Sequence, residues 1–186
     1  MKIGILALQG AFREHEQMLR GLGCDTVQVR REHELEELDG LIIPGGESTT
    51  IGKLMFEWNL FNRIRELGLG GLPIFGTCAG LIMLAKDIVD SDQPRLGLMD
   101  MLAHRNAFGR QVDSFEADLK ITGLAQPYRG VFIRAPYIKE VRDGVEVLSK
   151  YEDKIIFARQ GKFLAAAFHP ELTDDDRVHR IFLELI

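Results

Sequence analysis

The sequence has few cysteines and no spacing typical of a metal site. Only two cysteines occur among its 186 residues, and neither Cys24 nor Cys78 lies in a CxxC pair or near a histidine at a metal-ligand spacing. The two could in principle form a disulfide, but no segment resembles an export signal, and cytosolic thiols stay reduced. We therefore expect free thiols, no metal, no cofactor and a cytoplasmic location.

Long apolar runs and clusters of basic residues are also missing. The longest apolar runs, such as residues 163–168, are far shorter than the roughly 18 residues of a membrane span. The formal net charge is −5, whereas a nucleic-acid surface needs clustered positive charge. We expect no membrane span and no nucleic-acid partner. With 46% hydrophobic and 27% charged residues, the chain is predicted to form one globular domain over residues 1–186.

The first half of the chain alternates between strand and helix patterns. Short apolar runs predict strands over residues 2–8, 24–29, 41–43 and 73–77, and apolar periodicity predicts helices over residues 12–22, 48–67 and up to residue 84. Ser48, Thr49 or Thr50 is expected to cap the second helix. Because such βαβ units form parallel sheets, functional groups are expected at the carboxyl ends of the strands. Gln9-Gly10, Gly45-Gly46 and Cys78 follow such ends.

The second half predicts a partly antiparallel extension of the sheet. Closely spaced strands are predicted over residues 114–121, 130–138, 145–151, 154–160 and 162–168, with a hairpin turn at residues 159–162. A last helix from about residue 174 places Val178, Ile181, Phe182 and Leu185 on one apolar face. The predicted fold class is therefore α/β.

Cys78 lies between two glycines where a strand is predicted to run into a helix. A cytosolic cysteine among apolar neighbours is ordinarily a buried small hydrophobe. The alternative is a nucleophile elbow, because Gly76 and Gly80 permit a tight turn that presents the sulfur at the sheet edge. The positive end of the helix dipole favours thiolate there, and the N–H of Ala79 is a candidate oxyanion donor.

A nucleophile needs a base, and His169 is the strongest candidate. It ends the predicted strand 163–168 and is followed by Pro170 and Glu171, whose carboxylate could orient the imidazole. The alternative is a His-Pro turn with a solvated Glu171. His104 is ambiguous, and the remaining histidines lie in charged segments where surface positions are expected: His15, His33 and His179.

Gly45-Gly46 has two interpretations as well. It is either a loop with permissive backbone angles or a place where small residues allow close approach to a bound acyl group. In the second case the N–H of Gly46 would be another oxyanion donor, and each such donor is typically worth about 3 kcal/mol of barrier.

Two motifs, G-x-C-x-G at residues 76–80 and H-P-E at residues 169–171, resemble those of the triad glutaminases, or class I glutamine amidotransferases. Further segments resemble the glutaminase subunits of pyridoxal 5'-phosphate synthases: LALQGAF at 6–12, PGGESTT at 44–50, GTCAGLI at 76–82, RNAFGRQ at 105–111, RAPYI at 134–138 and AFHPE at 167–171. The resemblance covers nearly the whole chain.

The resemblance implies a three-layer, flavodoxin-like fold with a mostly parallel central sheet and helices on both faces. It implies hydrolysis of L-glutamine to glutamate and ammonia, with the ammonia passed to a barrel-shaped synthase subunit. It assigns Cys78, His169 and Glu171 to the catalytic triad. It assigns glutamine contacts to Gly46, Glu47, Ser48, Arg105, Ile133 and Arg134, and the oxyanion is expected near the backbone N–H groups of Gly46 and Ala79. Family members are activated by docking to the synthase, and we expect the Gln9-Gly10 loop and the Gly45-Gly46 peptide to rearrange then, because both lie at strand ends beside the elbow.

Three alternatives stay open at this point. Without the resemblance, Arg105 and Arg134 are better explained as surface ion pairs. The chain could instead be a related cysteine hydrolase that acts on an ester, peptide or aldehyde. It could also be a non-catalytic regulatory subunit with a vestigial site.

Overall fold

The structure is a computed structural model that describes residues 1–105 and 114–186. A ten-stranded mixed sheet forms its centre, in the order β2-β1-β3-β4-β12-β11-β9-β6-β5 with β10 paired to β11, and β7 and β8 form a separate two-stranded sheet. The strands are β1 (Lys2–Leu6), β2 (Asp25–Val29), β3 (Gly40–Ile43), β4 (Ile74–Thr77), β5 (Ala85–Ile88), β6 (Met99–His104), β7 (Ser114–Leu119), β8 (Tyr128–Ile133), β9 (Tyr137–Val141), β10 (Glu146–Tyr151), β11 (Lys154–Gln160) and β12 (Phe163–Ala166).

Five α-helices lie in the described ranges: α1 (Phe12–Gly21), α2 (Ser48–Glu57), α3 (Leu60–Leu69), α4 (Ala79–Leu84) and α5 (Arg177–Leu183), with short 3-10 helices at Glu32–Leu35 and Pro170–Leu172. The crossover from β1 to β2 and that from β3 to β4 run in opposite directions along the sheet. Because such crossovers are right-handed, α1 lies on one face and α2 and α3 on the other. The predicted α/β fold with a mostly parallel sheet and an antiparallel extension is confirmed.

The parallel centre of the sheet explains where side chains can meet. Strands β1, β3, β4 and β12 are parallel neighbours, and nearly every residue in them is buried. Their carboxyl ends therefore lie along one edge, with Ala166 of β12 in register with Thr77 of β4. The loops that follow these four strands carry the candidate functional residues.

Several predicted boundaries are wrong, and local geometry explains them. The helix predicted over residues 48–67 is two helices, because Asn59 adopts a left-handed conformation with φ 58°, which Asn tolerates better than most residues. The cap of α2 is the Glu47 carboxylate, which accepts the N–H of Thr50, and not Ser48, Thr49 or Thr50.

The strand predicted over residues 130–138 is also divided, since the chain turns at Arg134 with φ 42° and passes from β8 into β9 of the other sheet. The sequence interpretation missed β5 and β6. By contrast, residues 154–160 and the hairpin that joins them to β12 are confirmed.

Two histidines predicted to lie at the surface are buried. His15 and His179 are fully buried, so the expectation of surface positions is wrong for both, whereas His33 is exposed. Their helices α1 and α5 pack together on one face of the sheet, and the rings face that interface. Elsewhere, no helix in residues 1–105 and 114–186 is long and apolar enough to cross a bilayer.

Candidate active site

Cys78 occupies a strained turn between β4 and α4. Its φ and ψ are 50° and −101°, a region that non-glycine residues rarely adopt and that is typical of functional sites. Its backbone N–H donates to the carbonyl of Ala166 at 2.8 Å, and the side chain is only 8% exposed. The turn directs the sulfur into a cavity at the carboxyl edge of the sheet.

The glycines on both sides of Cys78 are required by close backbone approach. A Cβ on Gly76 would lie 2.4 Å from the carbonyl oxygen of Gly80, and a Cβ on Gly80 would lie 2.0 Å from the carbonyl oxygen of Ile43. Neither distance is compatible with a side chain. The packing of α4 against β3 and β4 therefore requires the two glycines of the G-x-C-x-G motif.

His169 and Glu171 follow β12, the strand next to β4. The backbone N–H of His169 donates to the carbonyl of Val131 at 2.8 Å, and its Nδ1 lies 2.7 Å from Glu171 Oε1. Glu171 is 6% exposed and sits in the 3-10 turn Pro170–Leu172. A buried carboxylate that accepts from Nδ1 fixes the tautomer and leaves Nε2 for the reacting group.

His169 and Cys78 line the same cavity, where the Cys78 thiol donates to the carbonyl of Ile133 at 3.9 Å. Burial lowers the pKa of His169, but the adjacent Cys78 side chain, the hydrogen bond to Glu171 and the charge of that carboxylate outweigh burial and raise the pKa to about 10. The imidazolium form of His169 is thereby favoured beside the Cys78 sulfur, which is the nucleophilic atom of a cysteine. The arrangement can therefore supply both a nucleophile and a proton donor.

The loop after β3 packs directly on these two side chains. A Cβ on Gly45 would lie 2.4 Å from His169 Cε1 and 3.3 Å from Cys78 Cβ. The carbonyl of Gly45 accepts the N–H of Ala11 at 3.1 Å. Because that peptide is trans, the N–H of Gly46 points to the side opposite Ala11.

The loop after β1 braces Gly45-Gly46. Gly10 has φ 101°, and a Cβ there would lie 1.8 Å from the carbonyl oxygen of Gly45. The side chain of Gln9 accepts the N–H of Glu47 at 2.7 Å. The two loops are therefore packed as one unit beside Cys78.

A cavity of about 280 Å³ joins most of the residues that the sequence singled out. Its lining includes Gln9, Gly46, Glu47, Ser48, Cys78, Ala79, Ile82, Arg105, Ile133, Arg134, Pro136 and His169. Glu171 and Gly10 do not line it; each stands behind a residue that does. The rest of the segment 105–111 lies outside the described residues.

Charged groups of both signs face the cavity. Arg105 donates to Gln93 Oε1 at 2.6 Å, and Gln93 Nε2 donates to Ser48 Oγ at 3.0 Å. Gln93 is buried and links two predicted substrate residues, a role that no sequence pattern indicated. Arg134 is exposed, has a positive φ of 42° and lines the cavity.

Glu47 combines a structural role with a free oxygen. Burial raises the pKa of Glu47, but hydrogen bonds from Thr49 and Thr50 outweigh burial and lower the pKa to about 2. All of these bonds go to Oε2, so Oε1 keeps its lone pairs for a cation. The carboxylate is ionised at neutral pH and lies at the rim of the cavity.

The site has no arrangement typical of metal binding. Within the residues that the structure describes, no group of three or more His, Cys, Asp or Glu side chains is placed to hold a metal ion. Both cysteines are free thiols. The chemistry available is that of a thiol, an imidazole, a carboxylate and backbone N–H groups.

Family comparison gives the class of the protein. The chain belongs to the SNO glutamine amidotransferase family, whose model matches residues 5–186. A crystal structure described as a glutamine amidotransferase has a TM-score of 0.94 and 54% identity, and the match covers 98% of this chain and 97% of that one. A structure of PurLQS from Thermotoga maritima, with a TM-score of 0.73 and 15% identity over 98% of this chain and 97% of that one, shows the fold alone.

Similar curated proteins indicate which kind of glutamine amidotransferase the chain resembles. The pyridoxal 5'-phosphate synthase subunit PdxT of Pelotomaculum thermopropionicum is 64% identical over 185 residues, which is 99% of this chain and 94% of the relative. The protein of the same name from Carboxydothermus hydrogenoformans is 62% identical over 187 residues, which is 100% of this chain and 98% of the relative. This chain is thus similar over its whole length to subunits of that synthase.

Proposed function

We propose that this chain is a glutaminase that hydrolyses L-glutamine to L-glutamate and ammonia and supplies the ammonia to pyridoxal 5'-phosphate synthase for vitamin B6 synthesis. One observation carries the proposal: a strained cysteine elbow shares a cavity with a histidine–glutamate pair in a chain of the glutamine amidotransferase family. A vestigial site would have no reason to retain the strain at Cys78, which costs about 1–3 kcal/mol.

In the first half-reaction the Cys78 thiolate attacks the side-chain amide carbon of glutamine. The negative charge that develops on the carbonyl oxygen is stabilised by the backbone N–H groups of Gly46 and Ala79. The His169 imidazolium gives its proton to the amide nitrogen, the C–N bond breaks, and ammonia leaves. The product on the enzyme is a γ-glutamyl thioester.

In the second half-reaction water cleaves the thioester. His169, now neutral, takes a proton from the attacking water, and the C–S bond breaks to release glutamate and regenerate the thiolate–imidazolium pair. Glu171 holds the ring in one orientation through both steps. Every proton and acyl transfer uses a side chain of this chain, so the mechanism needs no metal or cofactor.

The charges around the cavity suit a free amino acid. Arg105 and Arg134, which line the cavity, would bind the α-carboxylate in this proposal, since a guanidinium binds a carboxylate with two donors. Glu47 Oε1 can accept from the α-ammonium, and Ser48 and Ile133 complete the wall. Ester or peptide substrates lack this pair of charges, which argues against a general cysteine hydrolase.

The partner is the barrel-shaped synthase subunit, and docking is expected to activate the site. We propose that the Gln9-Gly10 loop and the Gly45-Gly46 peptide rearrange on docking, since each constrains the other: the side chain of Gln9 accepts the N–H of Glu47 at 2.7 Å, and no space remains for a side chain at Gly10 or Gly46. Residues 1–186 then act as one glutaminase domain in a hetero-oligomeric, cytoplasmic complex. Glutaminase activity of the isolated chain equal to that of the complex would contradict this proposal.

The decisive experiment measures ammonia release from glutamine with and without the synthase subunit. We expect release with the partner present, and its loss in Cys78→Ala and His169→Asn. A glutamine-mimicking chloroketone should label wild-type protein at Cys78 and fail to label Cys78→Ala. Unchanged release in His169→Asn would remove His169 from the mechanism, and failure to label Cys78 would favour the other hydrolase classes.

A further inference from the structure

A chain of polar side chains runs from the candidate triad into the core of the protein. Behind Glu171, His15 Nε2 lies 3.3 Å from Glu171 Oε2 and 3.1 Å from Thr77 Oγ1. On the other side of the ring, His15 Nδ1 lies 2.9 Å from His179 Nε2. All four side chains are buried. The chain links α1, β4, α5 and the turn after β12.

The two oxygens of the Glu171 carboxylate differ in their hydrogen bonds. Its Oε1 accepts from His169, whereas Oε2 makes no aligned hydrogen bond with the described residues. A buried anionic oxygen without a donor is costly. The imidazole edge of His15 is the polar group placed within 3.3 Å of it, so the tautomer of His15 decides whether that contact is attractive.

The surroundings select one tautomer. If Nδ1 of His15 carried the hydrogen, the Nε2 lone pair would face the Glu171 carboxylate, and His179 would have a buried Nδ1–H without a partner. If Nε2 of His15 carries it, that N–H donates to Thr77 Oγ1 while Glu171 Oε2 lies 3.3 Å from the same nitrogen, and Nδ1 accepts from His179 Nε2–H. Only the second arrangement places a donor beside the anion.

The His15 and His179 rings are both neutral in this arrangement, so each ring carries a single N–H. Burial, with the charges of His179 and His169, lowers the pKa of His15 well below its ordinary value. Burial also lowers the pKa of His179 to about 4, against a smaller opposing effect of Asp176. His179 can therefore act as the donor that fixes His15.

We propose that His15 is a positioning residue of the triad: its Nε2–H, directed by His179, holds the second oxygen of Glu171 and so keeps the first against His169. The same Nε2 lies 3.1 Å from Thr77 Oγ1, and that oxygen accepts the N–H of Gly45 at 3.1 Å. One imidazole thus braces the carboxylate of the triad and the loop that carries the proposed oxyanion donor. This inference rests on the proposed glutaminase function for its meaning.

The test is a double-mutant cycle in the full chain with its synthase subunit. His15→Leu removes the polar N–H beside Glu171 Oε2 and is expected to lower kcat about tenfold, at the low end of the effect of losing a polar contact to a charged group, with little change in KM. His15→Gln, whose amide can still donate near Oε2, is expected to restore most of kcat. In a Glu171→Ala background His15→Leu should cost almost nothing further.

Two further variants guard against simple loss of folding. His179→Leu removes the donor to His15 and is expected to lower kcat, while His179→Gln can still donate and should lower it less. His33→Leu, on an exposed histidine, is the matched control and should leave kcat unchanged. The melting temperature is measured for every variant, so that a stability loss is recorded separately from kcat.

The cycle also separates failure of this inference from failure of the proposed function. The rate at which iodoacetamide labels Cys78 needs no glutamine, and it should fall in His15→Leu, recover in His15→Gln and show the same non-additivity with Glu171→Ala. Equal proportional losses in both backgrounds, or equal rates for the Leu and Gln variants, would overturn the positioning role. Absence of ammonia release by wild-type complex would instead overturn the proposed function.

Discussion

Replacing Thr77 with valine tests how the fold holds the loop beside Cys78. Thr77 is fully buried, and its hydroxyl accepts the backbone N–H of Gly45 at 3.1 Å. Valine has nearly the same shape without the hydroxyl, so the Gly45 N–H loses its acceptor and His15 Nε2 loses its contact with the same oxygen. A buried donor left unsatisfied costs about 1–3 kcal/mol. We expect the free energy of unfolding to fall by about 2 kcal/mol, which lowers the melting temperature by about 4–8 °C in a chain of this size.

The same substitution should slow the reaction. The Gly45 backbone packs against His169 and Cys78, and Gly46 next to it carries the proposed oxyanion donor. Loss of one such donor typically costs about 3 kcal/mol, and a displaced donor costs part of that. We therefore expect kcat of the complex to fall about 10- to 100-fold, with a smaller change in KM.

Urea unfolding followed by circular dichroism gives the stability, and ammonia release gives kcat. Thr77→Ser is the matched control, because it keeps the hydroxyl and removes one methyl group, at a cost of about 1 kcal/mol. The reasoning is refuted if the valine and serine variants share one urea midpoint and one kcat, since the hydroxyl would then hold nothing.

Three further predictions follow from buried contacts. Gly80→Ala should abolish ammonia release and lower the urea midpoint, because its Cβ would overlap the carbonyl oxygen of Ile43 at 2.0 Å. Gly21→Ala is the control: it has open space around it and should leave the urea midpoint unchanged or raise it. Equal urea midpoints for the two variants would refute the packing argument. His179 has a pKa lowered from 6.5 to about 4, so the unfolded chain binds protons more readily. Stability should therefore be fully present above about pH 6.5 and fall toward pH 4, and His179→Gln should flatten this fall in urea midpoints measured across pH. Gln93→Leu releases Arg105 and should raise KM for glutamine about tenfold with kcat nearly unchanged; a change confined to kcat would show that Gln93 does not act through Arg105.

Local sequence patterns predicted the centre of the fold well. Apolar runs of three to seven residues identified β1, β3 and β4, because a strand buried on both faces can tolerate only apolar side chains. The same reasoning missed β5 and β6, which lie at the far edge of the sheet and alternate between buried and partly exposed residues. It also joined α2 to α3, since periodicity alone does not report a single left-handed Asn59.

The candidate site likewise contains residues that the sequence predicted and residues that it did not. The elbow and the His169-Pro170-Glu171 turn are short, contiguous segments, and glycine spacing and strand ends made them visible in the sequence. His15, Gln93 and His179 are distant along the chain from the groups that they contact, and each has a charged residue next to it in sequence. No local pattern indicated that these side chains are buried.

The sequence by itself determined the alternation of strands and helices, the tight turn at Cys78 and the edge of the sheet on which the loops after β1, β3, β4 and β12 meet. Backbone sterics and hydrophobic periodicity act over a few residues, so a few residues suffice to reveal them. Only the tertiary structure decided that His15 and His179 leave solvent and meet behind Glu171. Burial is a property of how α1 and α5 pack on the sheet, and packing depends on surfaces that the chain brings together across 164 residues.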